Sequence, residues 1–288
     1  MPRTRVPRTM RVAALQAAFG PDMKANIAAI ERLVRAAAKD GAQVILPPEL
    51  FQGPYFCKRE ETEWFRQAFG WRDHPCVAAL APLAKELNVA IPVSIFERDG
   101  QEYYNSLVMV DAGGEILGLY RKSHIPDGPG YEEKFYFRPG NTGFKVWNTR
   151  FGRIGVGVCW DQWFPEAARA MTLMGAEVLF YPTAIGSEPE NPGLDTRSRW
   201  RRAMIGHAVS NVIPVCASNR IGDEEGQIFY GSSFITDEGG DFLADMNRTD
   251  EGFIAATIDL DHCDERRSSW GFFRDRRPEL YGGLCSET

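Results

Sequence analysis

The sequence is short of several features that would place it at once. Its six cysteines, Cys57, Cys76, Cys159, Cys216, Cys263 and Cys285, include no CxxC pair, so their spacing spells neither a disulfide framework nor a zinc ribbon and suits a reducing cytoplasm. The four histidines, His74, His124, His207 and His262, form no HExxH and no local cluster with cysteine, so no metal and no other cofactor is expected. No run of about 18 apolar residues occurs, so no membrane-spanning helix is expected. Basic charge is not in excess. Thirty-three Lys and Arg face 39 Asp and Glu for a net charge of -6, which argues against the broad cationic surface a nucleic-acid partner requires. No Ser/Gly-rich, Pro-rich or single-sign stretch divides the chain. One domain over residues 10–288 is therefore expected, behind a loose tail, 1–9, whose Arg3, Arg5 and Arg8 lead into no apolar segment.

What is present is the make-up of a globular protein: 288 residues, 44% hydrophobic and 25% charged, enough to bury a sizeable core. One pattern is written twice. The segment 41-GAQVILPPELF-51 answers 175-GAEVLFYPTAI-185, 88-NVAIPVSIFERDG-100 answers 211-NVIPVCASNRIGD-223, and 105-NSLVMVDAGGEILG-118 answers 231-GSSFITDEGGDFLA-244. Each half reads as strand, helix, strand, helix and a hairpin turned at a Gly-Gly pair. Helical spacing of Ile27, Ile30, Val34 and Ala37 predicts a helix within 22–39, stopped by Gly41. Residues 163–174 repeat the arrangement ahead of Gly175. Continuous apolar runs at Val44–Leu46, Ile154–Val158 and Val178–Tyr181 predict buried strands. Two such halves form either an α-β-β-α sandwich or a single doubly wound sheet; periodicity alone allows both.

Three residues stand just past the ends of predicted strands. Cys159 closes 154-IGVGV-158 and opens a predicted helix, where the positive end of a helix dipole favours a thiolate and the Trp160 amide can donate to an oxyanion; a free cysteine in a core is as commonly inert. Gly155 and Gly157 allow close packing behind the sulfur. Glu49 follows 44-VILPP-48, a place where desolvation would suit a carboxylate to act as a base, although a solvated loop glutamate fits too. Lys122 ends the strand leaving the first Gly-Gly hairpin, with Arg121 beside it expected to face solvent. An ammonium there would lower a nearby thiol pKa and bind an oxyanion, or would simply be exposed.

Together the blocks 46-LPPELF-51, 120-YRKSHIP-126 and 156-VGVCWDQWFPE-166 resemble the Glu, Lys and Cys signatures of the nitrilase superfamily, the carbon–nitrogen hydrolases, over about Met10 to Cys285. The resemblance implies the four-layer α-β-β-α sandwich with two pseudo-repeated halves, no cofactor and a homo-oligomer. It implies Glu49 as general base, Lys122 as oxyanion stabiliser and Cys159 as nucleophile, supported by Trp160 and by Glu133 of 129-PGYEEKFYF-137. Within the family, 123-SHIPDGPGYEEKFYFRPG-140, 181-YPTAIGSEP-189 and 217-ASNRIG-222 resemble the branch that cleaves ureido compounds with an amine tail, so N-carbamoylputrescine is the expected substrate.

Tyr55, Thr183, Ala184 and Glu188 are the expected substrate contacts, with Glu188 the candidate partner for the distal ammonium and Tyr55 and Phe56 candidate walls for the aliphatic chain. Arg197, Arg199, Arg201 and Arg202 keep open an N-carbamoyl amino acid or other ω-amide as substrate. A reading from another class, a binding or scaffold protein on the same fold, predicts no reaction with a thiol-directed reagent. The segment 262–284, rich in Arg and aromatic residues, reads as a subunit interface or a capping tail.

Overall fold

The computed structural model describes residues 8–286. The first half runs β1 (Thr9–Gln16), α1 (Met23–Lys39), β2 (Val44–Leu46), α2 (Pro75–Leu87), β3 (Ile91–Asp99), β4 (Glu102–Val110), β5 (Ile116–Arg121), the single turn α3 (Glu133–Tyr136) and β6 (Val146–Thr149). The second half runs β7 (Gly152–Val156), α4 (Pro165–Leu173), β8 (Val178–Thr183), α5 (Arg197–Asn211), β9 (Val215–Asn219), the hairpin of β10 (Ile221–Glu224) and β11 (Gln227–Tyr230), β12 (Phe234–Thr236), β13 (Phe242–Asp245), β14 (Gly252–Asp259) and α6 (Leu260–Trp270).

The two sheets share one strand plan. In the first, β14 lies antiparallel to β1, β1 parallel to β2, and β3-β4-β5 form an antiparallel meander. A single parallel bridge from Val44 to Ala90 joins β2 to β3. In the second the order is β6-β7-β8-β9-β12-β13, with β6 antiparallel to β7 and β7, β8 and β9 parallel. The last strand of each half thus completes the other half's sheet, β6 beside β7 and β14 beside β1. This reciprocal exchange ties the repeats into one body.

Strand alternation decides the layers. Val12 and Ala14 of β1, Leu46 of β2, Leu107 and Met109 of β4, Ile154 and Val156 of β7, and Val178 and Phe180 of β8 meet in the core between the sheets. The alternate residues Ala13, Leu15, Ile45, Val93 and Val108 face Ile30 and Val34 of α1 and Leu80 and Ala84 of α2. Leu179, Tyr181, Val215 and Ala217 face Met171 of α4 and Trp200 and Met204 of α5. Both sheets are covered on both faces, which explains their continuous apolar runs and selects the α-β-β-α sandwich over the single doubly wound sheet. Each fully buried aliphatic side chain in these layers contributes on the order of 1.5–3 kcal/mol.

Local chemistry sets the ends of the elements. Asp22 caps α1 by accepting from the Lys24 and Ala25 amides, a contribution of about 1 kcal/mol. Gly114 and Gly240, the second glycines of the two Gly-Gly pairs, both take left-handed φ, 83° and 87°, which their hairpins require. The helix expected over 163–174 begins only at Pro165, because Cys159–Trp163 is a tight 3₁₀ turn. The strand expected over 154–158 leaves its ladder after Val156 for the same turn.

Two expectations are corrected. Arg121 does not face solvent. It is buried, with its guanidinium bonded to Glu97 and Asp99 at 2.6 and 2.7 Å and lying 3.8 Å above the Tyr104 ring; the strand's outward face is covered by neighbouring loops. The loose tail expected over 1–9 is too long, since Thr9 starts β1 opposite Asp259 and Arg8 pairs with Glu177. Residues 1–7 of that expectation lie outside the described residues. Among the described residues, no helix is long and apolar enough to cross a membrane.

His74 caps α2 by accepting the Cys76 amide on Nδ1 at 3.2 Å. Burial pulls its pKa down from 6.5 to about 3. As pH falls below 6.5 the unfolded chain takes up this proton and the folded chain does not, so stability drains away until pH reaches about 3. Asparagine also caps a helix and does not titrate there. In acid-dependent urea unfolding, His74→Asn should therefore lose about 1 kcal/mol less stability per pH unit than the parent between about pH 6 and 4; parallel curves would refute the assignment.

Candidate active site

The site forms where the strand ends of the two halves meet. After β2 the chain turns at Pro47 and Pro48, and Leu50 takes a left-handed φ of 47°. Such backbone costs on the order of 1–3 kcal/mol and survives only where its surroundings hold it. Here Arg220 holds it: the fully buried guanidinium donates through Nη2 to the carbonyls of Glu49 and Leu50, each at 3.0 Å, and through Nη1 to Glu224 at 2.7 Å. Ser218 donates to the Pro47 carbonyl and Ser94 accepts the Leu50 amide, both at 2.9 Å. The Glu49 amide donates to the Thr183 carbonyl at 3.4 Å, a bond between equivalent positions of the two halves.

Cys159 is a second strained corner, with φ 42°. Asp161, wholly buried, accepts from the Val158 amide at 2.9 Å, the Tyr120 hydroxyl at 2.7 Å, the His124 amide at 3.0 Å and His124 Nδ1 at 2.7 Å. One carboxylate thereby fixes the turn that carries the thiol to the strand end that carries Lys122. The His124 ring lies flat on Phe164, 3.6 Å between centroids. Behind the sulfur, a Cβ on Gly157 would come within 2.9 Å of the Tyr181 ring, so only glycine lets that ring pack there.

Lys122, fully buried, donates from Nζ to Glu49 Oε1 at 2.9 Å and to Glu133 Oε2 at 2.7 Å. Glu133 Oε1 accepts the Tyr55 hydroxyl at 2.7 Å. Burial opposes a charge on Lys122, but Glu133 and Glu49 overcome it and hold the ammonium well above its usual range. Burial raises the Glu133 carboxyl, with Lys122 pulling the other way. Burial also pushes the Cys159 thiol well above its ordinary value; Glu49 adds to this, and Lys122 opposes it without reversing it. The sequence-based expectation of a thiol lowered by the helix end and lysine is thus corrected in direction: burial and Glu49 outweigh Lys122.

Cys159 opens on a cavity of about 410 Å³ that is lined also by Trp160, Ala184, Tyr131, Gln162, Glu188 and Arg199. Of the expected substrate contacts, Ala184 and Glu188 stand in this wall. Tyr55 and Thr183 do not: the Tyr55 ring is buried behind Glu133, and the Thr183 hydroxyl donates to Gln162 Oε1 at 3.1 Å. Phe56 packs in an aromatic cluster on Phe96 and Tyr136 and does not line the cavity beside Cys159. Arg199 reaches the cavity; Arg197 and Arg201 turn to Ser232 and Asp245. Among the described residues no three His, Cys, Asp or Glu side chains gather as metal ligands. A cavity-lining thiol acted on by two buried carboxylates and a buried ammonium has the parts needed to attack a carbonyl and hold the resulting oxyanion.

Asp161, Arg220, Gln162 and Tyr131 were not singled out from the sequence. All four lie inside blocks quoted above, Asp161 and Gln162 in 156–166, Tyr131 in 123–140 and Arg220 in 217–222, but nothing in the spacing showed that their side chains turn inward.

Comparison with known proteins fits this geometry. The carbon–nitrogen hydrolase family model matches residues 11–268. An N-carbamoylputrescine amidase of Arabidopsis thaliana is 55% identical over 97% of this chain and 96% of its own. A citrullinase of Francisella tularensis is 50% identical over 94% of this chain and 96% of its own. The crystal structure of a carbon–nitrogen hydrolase from Helicobacter pylori G27 superposes with a TM-score of 0.92 at 37% identity, covering 97% of this chain and 99% of that one.

Removing the ammonium should leave two uncompensated buried carboxylates. Lys122→Met is expected to lower unfolding free energy by roughly 3–5 kcal/mol, and adding Glu133→Gln should return part of it. Urea denaturation of both variants measures this; a single variant as stable as the parent would show that the pair is not coupled as drawn.

Proposed function

The chain belongs to the carbon–nitrogen hydrolase family, and from that premise we propose that it hydrolyses N-carbamoylputrescine to putrescine, carbon dioxide and ammonia through a thioester on Cys159. The observation that carries the reading is the placement of Lys122 between Glu49 and Glu133 beside a cavity that holds both Cys159 and Glu188. The N-carbamoylputrescine amidase among the relatives supports the choice of substrate.

Glu49 Oε1 already accepts from Lys122 and Asn105, whereas Oε2 has no hydrogen-bond partner. That oxygen takes the thiol proton as sulfur attacks the ureido carbon, so the raised thiol pKa is met by a transfer concerted with attack. The carbonyl oxygen becomes an oxyanion held by the remaining N–H of the Lys122 ammonium and the Trp160 amide. Glu49 passes its proton to the departing nitrogen, ammonia leaves, and an alkylcarbamoyl thioester remains on Cys159. Glu49 then deprotonates a water that attacks this thioester. The thiolate leaves and recovers the proton, and the freed carbamate loses carbon dioxide to give the amine.

The distal ammonium is assigned to Glu188 in the cavity wall, whose carboxyl is raised by partial burial, with Arg199 pulling the other way. Arg199 is also the observation that favours a second reading. An ω-ureido amino acid such as citrulline carries a carboxylate for this guanidinium, and the citrullinase relative acts on that compound. The working form is proposed to be a cytoplasmic homo-oligomer of single-domain chains. Exposed Leu173, Met174, Val209 and Trp270 and the six free thiols support this, and light scattering should return the mass of at least two chains.

Cys159→Ser should keep the fold, followed by circular dichroism, and lose at least about a thousandfold in ammonia release, because an alkoxide is far harder to form than a thiolate; near-parent release would refute the nucleophile. In a panel of N-carbamoylputrescine, citrulline and N-carbamoyl α-amino acids, the first should show the highest kcat/KM. Glu188→Gln should raise its KM about tenfold, the size expected for one lost charge-assisted contact. If citrulline wins and Arg199→Gln abolishes its advantage, the second reading replaces the first.

A further inference from the structure

We propose that Asn105 is the positioning residue that aims Glu49, so that only one carboxylate oxygen of the base can receive the Cys159 proton. The inference rests on the hydrolytic reading above and deepens it. Asn105 sits in β4 opposite Phe96, with its side chain fully enclosed at 1% exposure. Its Nδ2 donates to Glu49 Oε1 at 2.7 Å, and its backbone carbonyl accepts the Lys122 amide at 2.8 Å. One residue thus holds the base through its side chain and the ammonium-bearing residue through its main chain. The ammonium closes the triangle on the same Oε1 at 2.9 Å.

The consequence is an asymmetric carboxylate. Oε1 is occupied by two donors and Oε2 by none, so a proton is accepted at Oε2. The amide is oriented by chemistry: turned over, it would set its oxygen against the carboxylate. In the orientation adopted, Asn105 Oδ1 is buried without a partner, an unfavourable arrangement that packing alone would not select. Phe96, the register neighbour of Asn105, donates its amide to Gln52 Oε1 at 2.7 Å, so the strand beside it is anchored to the Glu49 loop as well. The titratable and charged groups facing Glu49 are Lys122, Glu133 and Cys159, with Tyr55 and Cys57 behind them and the Arg220 guanidinium on its own carbonyl. Asn105 is the uncharged donor in this set, so its removal alters the field on Glu49 without deleting a charge.

A hydrogen bond to the ionised form lowers a carboxyl pKa. Losing the donor that aims the base should move the acidic limb of Cys159 reactivity to higher pH. Two variants test this. Asn105→Ala removes the donor, and the near-isosteric Asn105→Leu removes it without adding a charge and keeps the side-chain volume, in case the alanine variant does not fold. The first readout is alkylation of Cys159 by iodoacetamide against pH, followed by mass spectrometry of the peptide that contains it; this needs no knowledge of the substrate. The acidic limb of that profile should shift upward by about one pH unit, a tenfold loss of rate below the limb. The second readout is ammonia release, where kcat should fall roughly 10- to 100-fold with KM within about twofold. An acidic limb that stays in place in the folded variant overturns the proposal, whether or not turnover falls. If instead the alkylation profile shifts and the parent releases no ammonia from any ureido compound, the positioning role stands and the assigned reaction fails.

Discussion

The site depends on one ammonium in a place where ammonium ions do not belong. Lys122 is wholly enclosed, yet it stays charged because Glu49 and Glu133 each lie within hydrogen-bonding distance. Burial opposes the charge on the lysine and the two carboxylates outweigh it, so removing any one of the three leaves the others without their partner. Their mutual dependence ties together three distant parts of the chain, the segment after β2, the end of β5 and the turn α3. In the proposed role of holding an oxyanion, a charge already desolvated and aimed before substrate arrives is an advantage.

Around this triad the backbone stores strain in two places and restrains both. Leu50 and Cys159 adopt left-handed conformations that non-glycine residues avoid, and each corner is gripped by a buried side chain of opposite charge type. Arg220 holds the carbonyls of the glutamate corner, and Asp161 holds the amide ahead of the cysteine corner. The two grips reach across the sandwich in opposite directions. Arg220 comes from the second half to the first, whereas Asp161 receives Tyr120 and His124 from the first. The site is therefore a product of the interface between the halves, and the exchanged edge strands β6 and β14 that lock those halves together are part of its foundation.

The cavity carries mixed charge, with Glu188 and Asp127 on one hand and Arg199 on the other. On the proposed reading, the ionic tail of a ureido ligand meets these side chains, which come from the segment after β5 (Asp127), the segment after β8 (Glu188) and the start of α5 (Arg199). Tyr55, which the sequence placed among the substrate contacts, belongs instead to the support of Glu133.

Periodicity and punctuation alone determined the elements: α1 with its Asp22 cap, the apolar strands after it, and two hairpins each turned at a Gly-Gly pair. The repeat of the whole arrangement was also legible, because apolar alternation and glycine placement are local properties of a chain. The blocks that carry Glu49, Lys122 and Cys159 were legible too, each lying just past the end of a strand. What only the tertiary structure decided was how those blocks address one another: that Arg121 turns inward to Glu97 while Lys122 turns to Glu49, that Asp161 and Arg220 clamp the two corners, and that burial and Glu49 outweigh Lys122 at the thiol. Those outcomes depend on desolvation and on partners 24 to 171 residues away, and no local pattern encodes the distance between two side chains that meet only when the sheets close.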